Sequence, residues 1–287
     1  MSGRRETEGI REGEAAFSEV EWRGFLAAYR RLTGQDLAAY RREQLERRLR
    51  GAVARLGGGD LAGLVARMER EEAVLRQVVS FLTIHVSGFF RNPEQFERLR
   101  RHWIPRVRGQ GQVSVWSAGC ASGPEPYSLA ILLAEAGLLE RSRILATDVD
   151  DVALARARAG EYAEEELAGL DARRRAAWLE RLPSGLHRLR GELRRAVRVE
   201  RHDLLTDPPP GRFDLVLCRN VLIYFTPEGK ERALGGLAEA LRPGGWLLLG
   251  STESLYDPGR FGLRPVGPFL YEAGETKLGL DPRGERI

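Results

Sequence analysis

Glu125 lies inside a turn built almost wholly from small residues, and its surroundings decide what chemistry a carboxylate there can do. Val113–Trp116 is a short apolar run, Gly119 and Gly123 punctuate the residues that follow, and from Pro126 the apolar positions Leu129, Leu132 and Leu133 fall at helical spacing. In an open α/β sheet this strand–turn–helix puts bare backbone at the carboxyl end of a strand, where ligands bind. The glycine spacing alone also fits an ordinary βα turn. A pyrophosphate in such a turn wants N–H groups and positive charge, so an acid argues against a dinucleotide. It suits a ligand with cationic groups or with hydroxyl and amino donors. S-adenosylmethionine, with a sulfonium and an ammonium group, meets that demand.

Two further acids extend the pattern. Asp148 ends a second strand, Arg143–Asp148, where it is placed to hold ribose hydroxyls, while Asp150 and Asp151 are available to cap the helix that follows. Asp203 stands at a third strand end, beside Leu204 and Leu205, at the rim of a surface that suits an adenine ring. Asp207–Gly211, with its three prolines, lies before a strand rather than after one and lacks an aromatic residue, so it reads as loop and not as an exocyclic-amine methylation motif.

The elements that must position these groups follow from periodicity. Ser18 and Glu21 form a capping box for a first helix with Val20, Phe25, Leu26 and Tyr29 inward, ended by Gly34. Asp36 is placed to cap a second helix with a Leu37, Leu45, Leu49, Val53 and Leu56 stripe. Its other face carries Arg41, Arg42, Arg47, Arg48, Arg50 and Arg55, either a solvated surface or a docking face for an acidic helix. Gly57–Gly59 break the chain, Asp60 caps again, and helical patterns run to about Leu82. The spacing thus predicts a disordered lead over 1–16, an all-helical domain over 17–82, a pinned linker over 83–92, and an α/β domain over 93–273. Residues 274–287 read as a flexible tail.

Within the α/β domain, Asn92 and Pro93 start a helix to about Arg108, residues 161–182 read as helical, and Leu186–Glu200 alternates around Gly191. That alternation predicts an inserted antiparallel hairpin over about 184–201. Arg212–Cys218 is a fourth strand, Thr226 and Pro227 open a helix that stops at Arg242–Gly245, and strands at Trp246–Gly250 and Phe269–Glu272 complete the sheet.

The 287 residues carry a formal charge of +4, with Lys230 and Lys277 the only lysines, so the basic surface is arginine. Apolar runs fall short of the roughly 18 residues that span a bilayer. The polar amino terminus has no secretory pattern, which makes a cytoplasmic protein the expectation, and a monomer is expected. Cys120 and Cys218 are expected as reduced thiols. His85, His102, His187 and His202 lack ligand spacing, so no metal is expected.

Four separated blocks, WSAGCASGPEPYSLAILLAE, ILATDVDDVALARARAGEY, FDLVLCRNVLIYF and LRPGGWLLLGSTESL, together with SGFFRNPEQFERL and the arginine-rich second helix, closely resemble the bacterial chemotaxis-receptor glutamate O-methyltransferases. The resemblance covers about residues 20–272. It implies a Rossmann-like class I methyltransferase sheet carrying an inserted antiparallel hairpin subdomain, behind a small all-α domain. It also implies transfer of methyl from S-adenosylmethionine to receptor glutamates, leaving S-adenosylhomocysteine. Family cofactor contacts fall on Ser87, Arg91, Gly119, Glu125, Asp148, Asp203, Leu204, Arg219 and Asn220, with His85 standing where the family usually has Asn. The catalytic pair falls on Arg91 and Tyr224, and the docking partner is the cytoplasmic helical domain of a membrane chemoreceptor. Pro124 replaces the first acid of the family's usual Glu-Glu pair. The short hairpin lacks spaced glycines, which argues against docking of a receptor tail there. Two other classes share these features: a methyltransferase acting on RNA or another protein, and a cofactor-binding sensor without turnover. Neither an exocyclic-amine motif nor aromatics interleaved with the arginines supports nucleic acid.

Overall fold

The computed structural model describes residues 17–83 and 87–274, so His85 lies outside the described residues. The chain divides into two compact units. One holds the residues up to Ala38 together with Arg42–Val78, and the other holds Ala39–Arg41 and the chain from Val79 onward. No helix among the described residues is long and apolar enough to cross a membrane.

The helical unit is built from α1 (Glu19–Thr33), α2 (Arg42–Leu56), α3 (Leu61–Arg70) and the first part of α4 (Glu72–Leu82). Ser18 and Glu21 close the capping box on α1, and Gly34 ends the helix at φ 76°, a left-handed conformation that glycine adopts freely. The inward stripe differs from the expected one: Trp22, Phe25, Ala28 and Tyr29 are buried, while Val20 is 83% exposed. Val20 sits in the first turn, one residue from the helix start, where the apolar phase set by Trp22 and Phe25 turns it outward. Asp36 does not cap α2. Its carboxylate accepts from Ala38 N at 2.8 Å and caps a short 3-10 turn, Leu37–Ala39, so α2 begins only at Arg42. Asp60 caps α3 as its position suggests, accepting from Gly63 N.

The larger unit is a seven-stranded sheet in the order β6-β2-β1-β7-β8-β10-β9. Its strands are β1 (Val113–Ala118), β2 (Ser142–Asp148), β6 (Val197–Arg201), β7 (Phe213–Cys218), β8 (Leu241–Leu249), β9 (Leu263–Gly267) and β10 (Leu270–Ala273). The first five named pair in parallel, and β10 runs antiparallel to both β8 and β9. Because β1 lies between β2 and β7, the chain order reverses on either side of it, and the loops leaving β1 and β7 face one crevice. The helix before the sheet is α5 (Pro93–Arg98), a π turn (Leu99–Trp103) and α6 (Ile104–Val107). The π turn precedes Pro105, which has no N–H to continue the ordinary ladder, and Ile104 N reaches back to Leu99 O instead.

The inserted antiparallel sheet exists, but not as the hairpin expected about Gly191. Its strands are β3 (Glu161–Tyr162), β4 (Leu179–Arg181) and β5 (His187–Leu189), ordered β3-β5-β4, with α9 (Ala172–Trp178) between the first two. Residues 161–182 are therefore not helical throughout. Gly191 opens α10 (Gly191–Ala196), and the following β6 belongs to the main sheet. The alternation that suggested a hairpin also contains Leu189, Leu193 and Val197 at helical spacing, and all three are buried. Burial of that spaced set fixes the helix.

Candidate functional site

Five segments leave the carboxyl ends of the parallel strands: 119–123 after β1, 148–151 after β2, 202–204 after β6, 219–224 after β7 and 250–253 after β8. The first is the glycine turn before α7 (Pro124–Glu135). Gly119 N and Cys120 N both donate to Thr147 O at 2.8 Å, which folds the turn over the end of β2. Gly119 adopts φ 76°, and a Cβ there would fall 2.4 Å from a methyl of Val221, so this position admits only glycine. Asp148 answers from the neighbouring strand. Its Oδ2 accepts from Ala121 N at 2.9 Å and its Oδ1 from Val149 N and Asp150 N at 2.8 and 3.1 Å. Three backbone donors fix the carboxylate at the mouth of the turn. Asp150 is the cap of α8 (Asp151–Ala159), accepting from Val152 N and Ala153 N, and it also accepts from Thr83 Oγ1 at 2.9 Å.

Glu125 is held at both oxygens. Ser117 Oγ donates to Oε1 at 2.7 Å, and the Arg219 guanidinium donates to Oε2 at 3.1 Å. Arg219 is the centre of a larger arrangement. Its Nε donates to Gln95 Oε1 at 2.6 Å, and its remaining nitrogen donates to Asn92 Oδ1 at 3.1 Å and to the carbonyl of Arg91. The guanidinium lies 5.3 Å from the Phe96 ring centre, and only 2% of the side chain is exposed. Gln95 completes the link by donating to Leu249 O at 3.0 Å, at the end of β8. One buried cation thus joins the 91–95 segment to α7, β7 and β8. The segment before it is pinned by Phe89 and Phe90, both buried, by the donation of Phe90 N to Ser128 Oγ at 2.8 Å, and by the edge contact of Phe89 with Tyr162.

The loop after β7 carries Asn220, Val221 and the 3-10 turn Leu222–Tyr224. Asn220 sits at φ 61°, and its N–H donates to Glu253 at 2.7 Å. Tyr224 is partly buried, and its carbonyl accepts from Arg41 N at 2.8 Å. On the other side, His202 N donates to Asp148 O at 3.0 Å, carrying Asp203 and Leu204 to the edge of the same crevice. Burial raises the Asp203 carboxyl above its ordinary value, the N–H of Leu205 partly opposing the shift. Burial likewise pushes the thiols of Cys120 and Cys218 well above the ordinary range, so neither is poised as a nucleophile. Five non-glycine residues among those described have left-handed φ, and four of them, Phe90, Asn92, Ala121 and Asn220, belong to these converging segments.

The structure therefore places Gly119, Glu125, Asp148, Asp203, Leu204, Arg219 and Asn220 at or just beyond the carboxyl ends of neighbouring parallel strands, with the Arg91 backbone tied to Arg219 and Tyr224 on the Asn220 loop. Ser87, partly buried, opens the segment that leads to Arg91. The arginines expected on the second helix are less uniform than their spacing suggests, and Arg41 precedes α2. Arg42 and Arg50 are engaged with the buried Glu46 at 2.7 and 3.4 Å, Arg48 is partly buried, and Arg41 N and Nε reach Tyr224 O and Phe225 O. Arg47 stands exposed. Sequence reasoning missed Ser117, Gln95 and Glu253. The last was open to notice as an acid just past the carboxyl end of β8, whereas the roles of Ser117 and Gln95 depend on contacts across the fold.

The residues suit the group that the glycine turn implies. A bare φ 76° glycine, a glutamate with lone pairs beyond its two protein bonds, and an oriented aspartate have the chemistry that a cationic nucleoside needs. Residues 85–266 match the CheR methyltransferase SAM-binding domain, and residues 21–83 match the CheR methyltransferase all-alpha domain. A chemotaxis protein methyltransferase of Listeria innocua is 37% identical over 256 residues, 88% of this chain and 97% of that protein. One from Vibrio parahaemolyticus is 33% identical over 250 residues, 83% of this chain and 90% of that protein. Among solved structures, a TehB-like SAM-dependent methyltransferase from Corynebacterium glutamicum is similar at a TM-score of 0.36 and 15% identity, covering 63% of this chain and 97% of that one. The chain belongs to the CheR methyltransferase family, and its cofactor is S-adenosylmethionine.

Proposed function

We propose that this methyltransferase esterifies side-chain carboxylates of glutamates in the cytoplasmic helical domain of chemoreceptors, forming glutamyl methyl esters for sensory adaptation. The observation that carries the reading is the Arg219 arrangement, which ties the Arg91 segment to the Glu125 carboxylate. The Arg91 backbone is bonded to the same guanidinium that holds Glu125, which supports an arginine for the carboxylate substrate working near a glutamate for the cationic donor.

The bound cofactor supplies an electrophilic methyl group on a positively charged sulfur. Glu125 takes the ammonium end, Asp148 the ribose hydroxyls, and Asp203 with Leu204 the adenine edge, while Gly119 allows close approach of the backbone. Glutamate has an ordinary pKa near 4.3 and is already ionised at neutral pH, so its methylation requires no general base. The work left to the protein is alignment of the attacking oxygen with the methyl carbon, and removal of water from a weak nucleophile. Arg91 orients the incoming carboxylate through its planar fork, and Tyr224 lines the path beside the sulfur. Arg219 acts by holding Glu125 and the Arg91 backbone in register.

Arg47, with the arginines around it on α2, offers charge to an acid-rich receptor helix. The deciding experiment incubates the chain with labelled S-adenosylmethionine and receptor cytoplasmic domains, then treats the product with alkali. Release of labelled methanol is expected. Label that enters RNA, or that stays on the protein through alkali, points to a different acceptor. Cofactor binding with no transfer at all points to a sensor. Arg47→Glu is expected to slow receptor methylation, with the difference shrinking as salt rises.

A further inference from the structure

Glu253 is a buried carboxylate without a role in the chemistry above, 7% exposed and four residues beyond the end of β8. Its partners are backbone amides rather than a cation. Oε2 accepts from Asn220 N at 2.7 Å and Gly250 N at 2.9 Å, and Oε1 accepts from Ile223 N at 3.2 Å. Two of these donors lie in the loop after β7 and one in the loop after β8, so a single side chain staples neighbouring strand ends together.

The seat is shaped for it. A Cβ on Gly250 would fall 2.4 Å from Glu253 Oε2 and 2.8 Å from Asn220 N, so the missing side chain is what lets the carboxylate reach the amide. Asn220 is held at φ 61°, a conformation that non-glycine residues leave unless neighbours enforce it. Ile223, the third donor, immediately precedes Tyr224. A buried charge satisfied only by N–H groups is retained where geometry matters, since an apolar side chain would avoid its desolvation.

We propose that Glu253 is a positioning residue of the methyl transfer: through Oε2 it sets the backbone of Asn220 at the cofactor, and through Oε1 it sets Ile223 and hence Tyr224 beside the reacting groups. The assignment rests on the reading of Tyr224 given above, and it divides the two oxygens between two tasks.

That division supplies the test. The full chain and its Glu253→Ala and Glu253→Gln variants are compared in S-adenosylhomocysteine affinity by calorimetry, in kcat and KM with a receptor cytoplasmic domain, and in amide exchange at Asn220 and Ile223. Loss of buried charge-assisted bonds predicts about a tenfold weaker affinity and about a hundredfold lower kcat for Glu253→Ala, with receptor KM within about twofold. In Glu253→Gln the one carbonyl oxygen can take the Oε2 place, restoring affinity to within about threefold, while an NH₂ group faces Ile223 N and leaves kcat about tenfold low. Affinity and kcat of Glu253→Gln falling together to the Glu253→Ala values would overturn the division of tasks. Unchanged exchange at both amides in the glutamine variant would overturn the positioning role, even where the alanine variant fails to fold. Should the wild-type chain methylate no receptor, the proposed substrate falls, yet affinity and exchange still decide what Glu253 does.

Discussion

Two buried glutamates, each holding arginine, behave differently because of where the arginine comes from. Glu46 sits on α2 with an 8% exposed side chain, and its partners Arg42 and Arg50 lie one helical turn away on either side, 37% and 29% exposed. Glu125 is comparably buried at 11%, but its partner Arg219 comes from a different strand end and is 2% exposed. The two contacts to Glu46 run along one helix and keep water around their cations, so they add little beyond helical support, although Arg42 also reaches Glu19 and the Phe17 carbonyl. The distant pair exists only when α7, β7 and the 91–95 segment are all in place. A desolvated pair of that kind contributes uniqueness of arrangement more than net stability, and removing one member leaves the other charge stranded.

The sharpest way to break this contrast is Arg219→Met. It strands Glu125 and leaves Gln95 without its donor, and urea unfolding is expected to show a loss of about 3–5 kcal/mol together with loss of cofactor binding. A loss no larger than that of an exposed arginine would erase the distinction. Glu125→Gln keeps the shape and is expected to cost less in stability, while weakening S-adenosylhomocysteine by about 10–100-fold in calorimetry. Equal affinity in that variant would remove Glu125 from the cofactor site.

Arg50→Ala probes the local pair. Arg42 remains on Glu46, so only a small fall in melting temperature is expected, shrinking as salt screens the surface charges. The smallest effect belongs to an exposed cluster, in which hydrogen bonds from Arg100 and Arg101 pull the Glu97 carboxyl from its ordinary 4.5 down to about 2. A depressed folded value adds stability above pH 4.5 and loses it as pH falls toward 2. The melting difference between wild type and Glu97→Gln should therefore be present at neutral pH and vanish at the acid end.

The contrast also explains what could be read before the fold was seen. The Gly119–Gly123 turn, Asp148 at the tip of β2 and the capping box at Ser18 are signalled by neighbours in the chain, and each is where the residues place it. The alternation of strands and helices after the glycine turn signals the parallel plan, but not the strand order or the place of β6 in it. Arg219 was legible as a residue of the site through family resemblance, but its bonds to Gln95, Asn92 and Glu125 span up to 127 positions, and no local pattern encodes them. The insertion failed for a different reason. Residues 186–200 satisfy both a period of two and a spacing of four, and the choice was made by burial of Leu189, Leu193 and Val197 against the rest of the unit.

That insertion bears on the site through Gly169, in the bend after the 3-10 turn Glu164–Leu167. A Cβ at this position would sit 1.7 Å from the carbonyl oxygen of Phe89, a backbone atom with no freedom to swing aside. Phe89 lies two residues before Arg91. One added methyl group on the insertion would therefore shove the Arg91 segment from behind, and a lesion there would be felt at the strand ends that segment is bonded to.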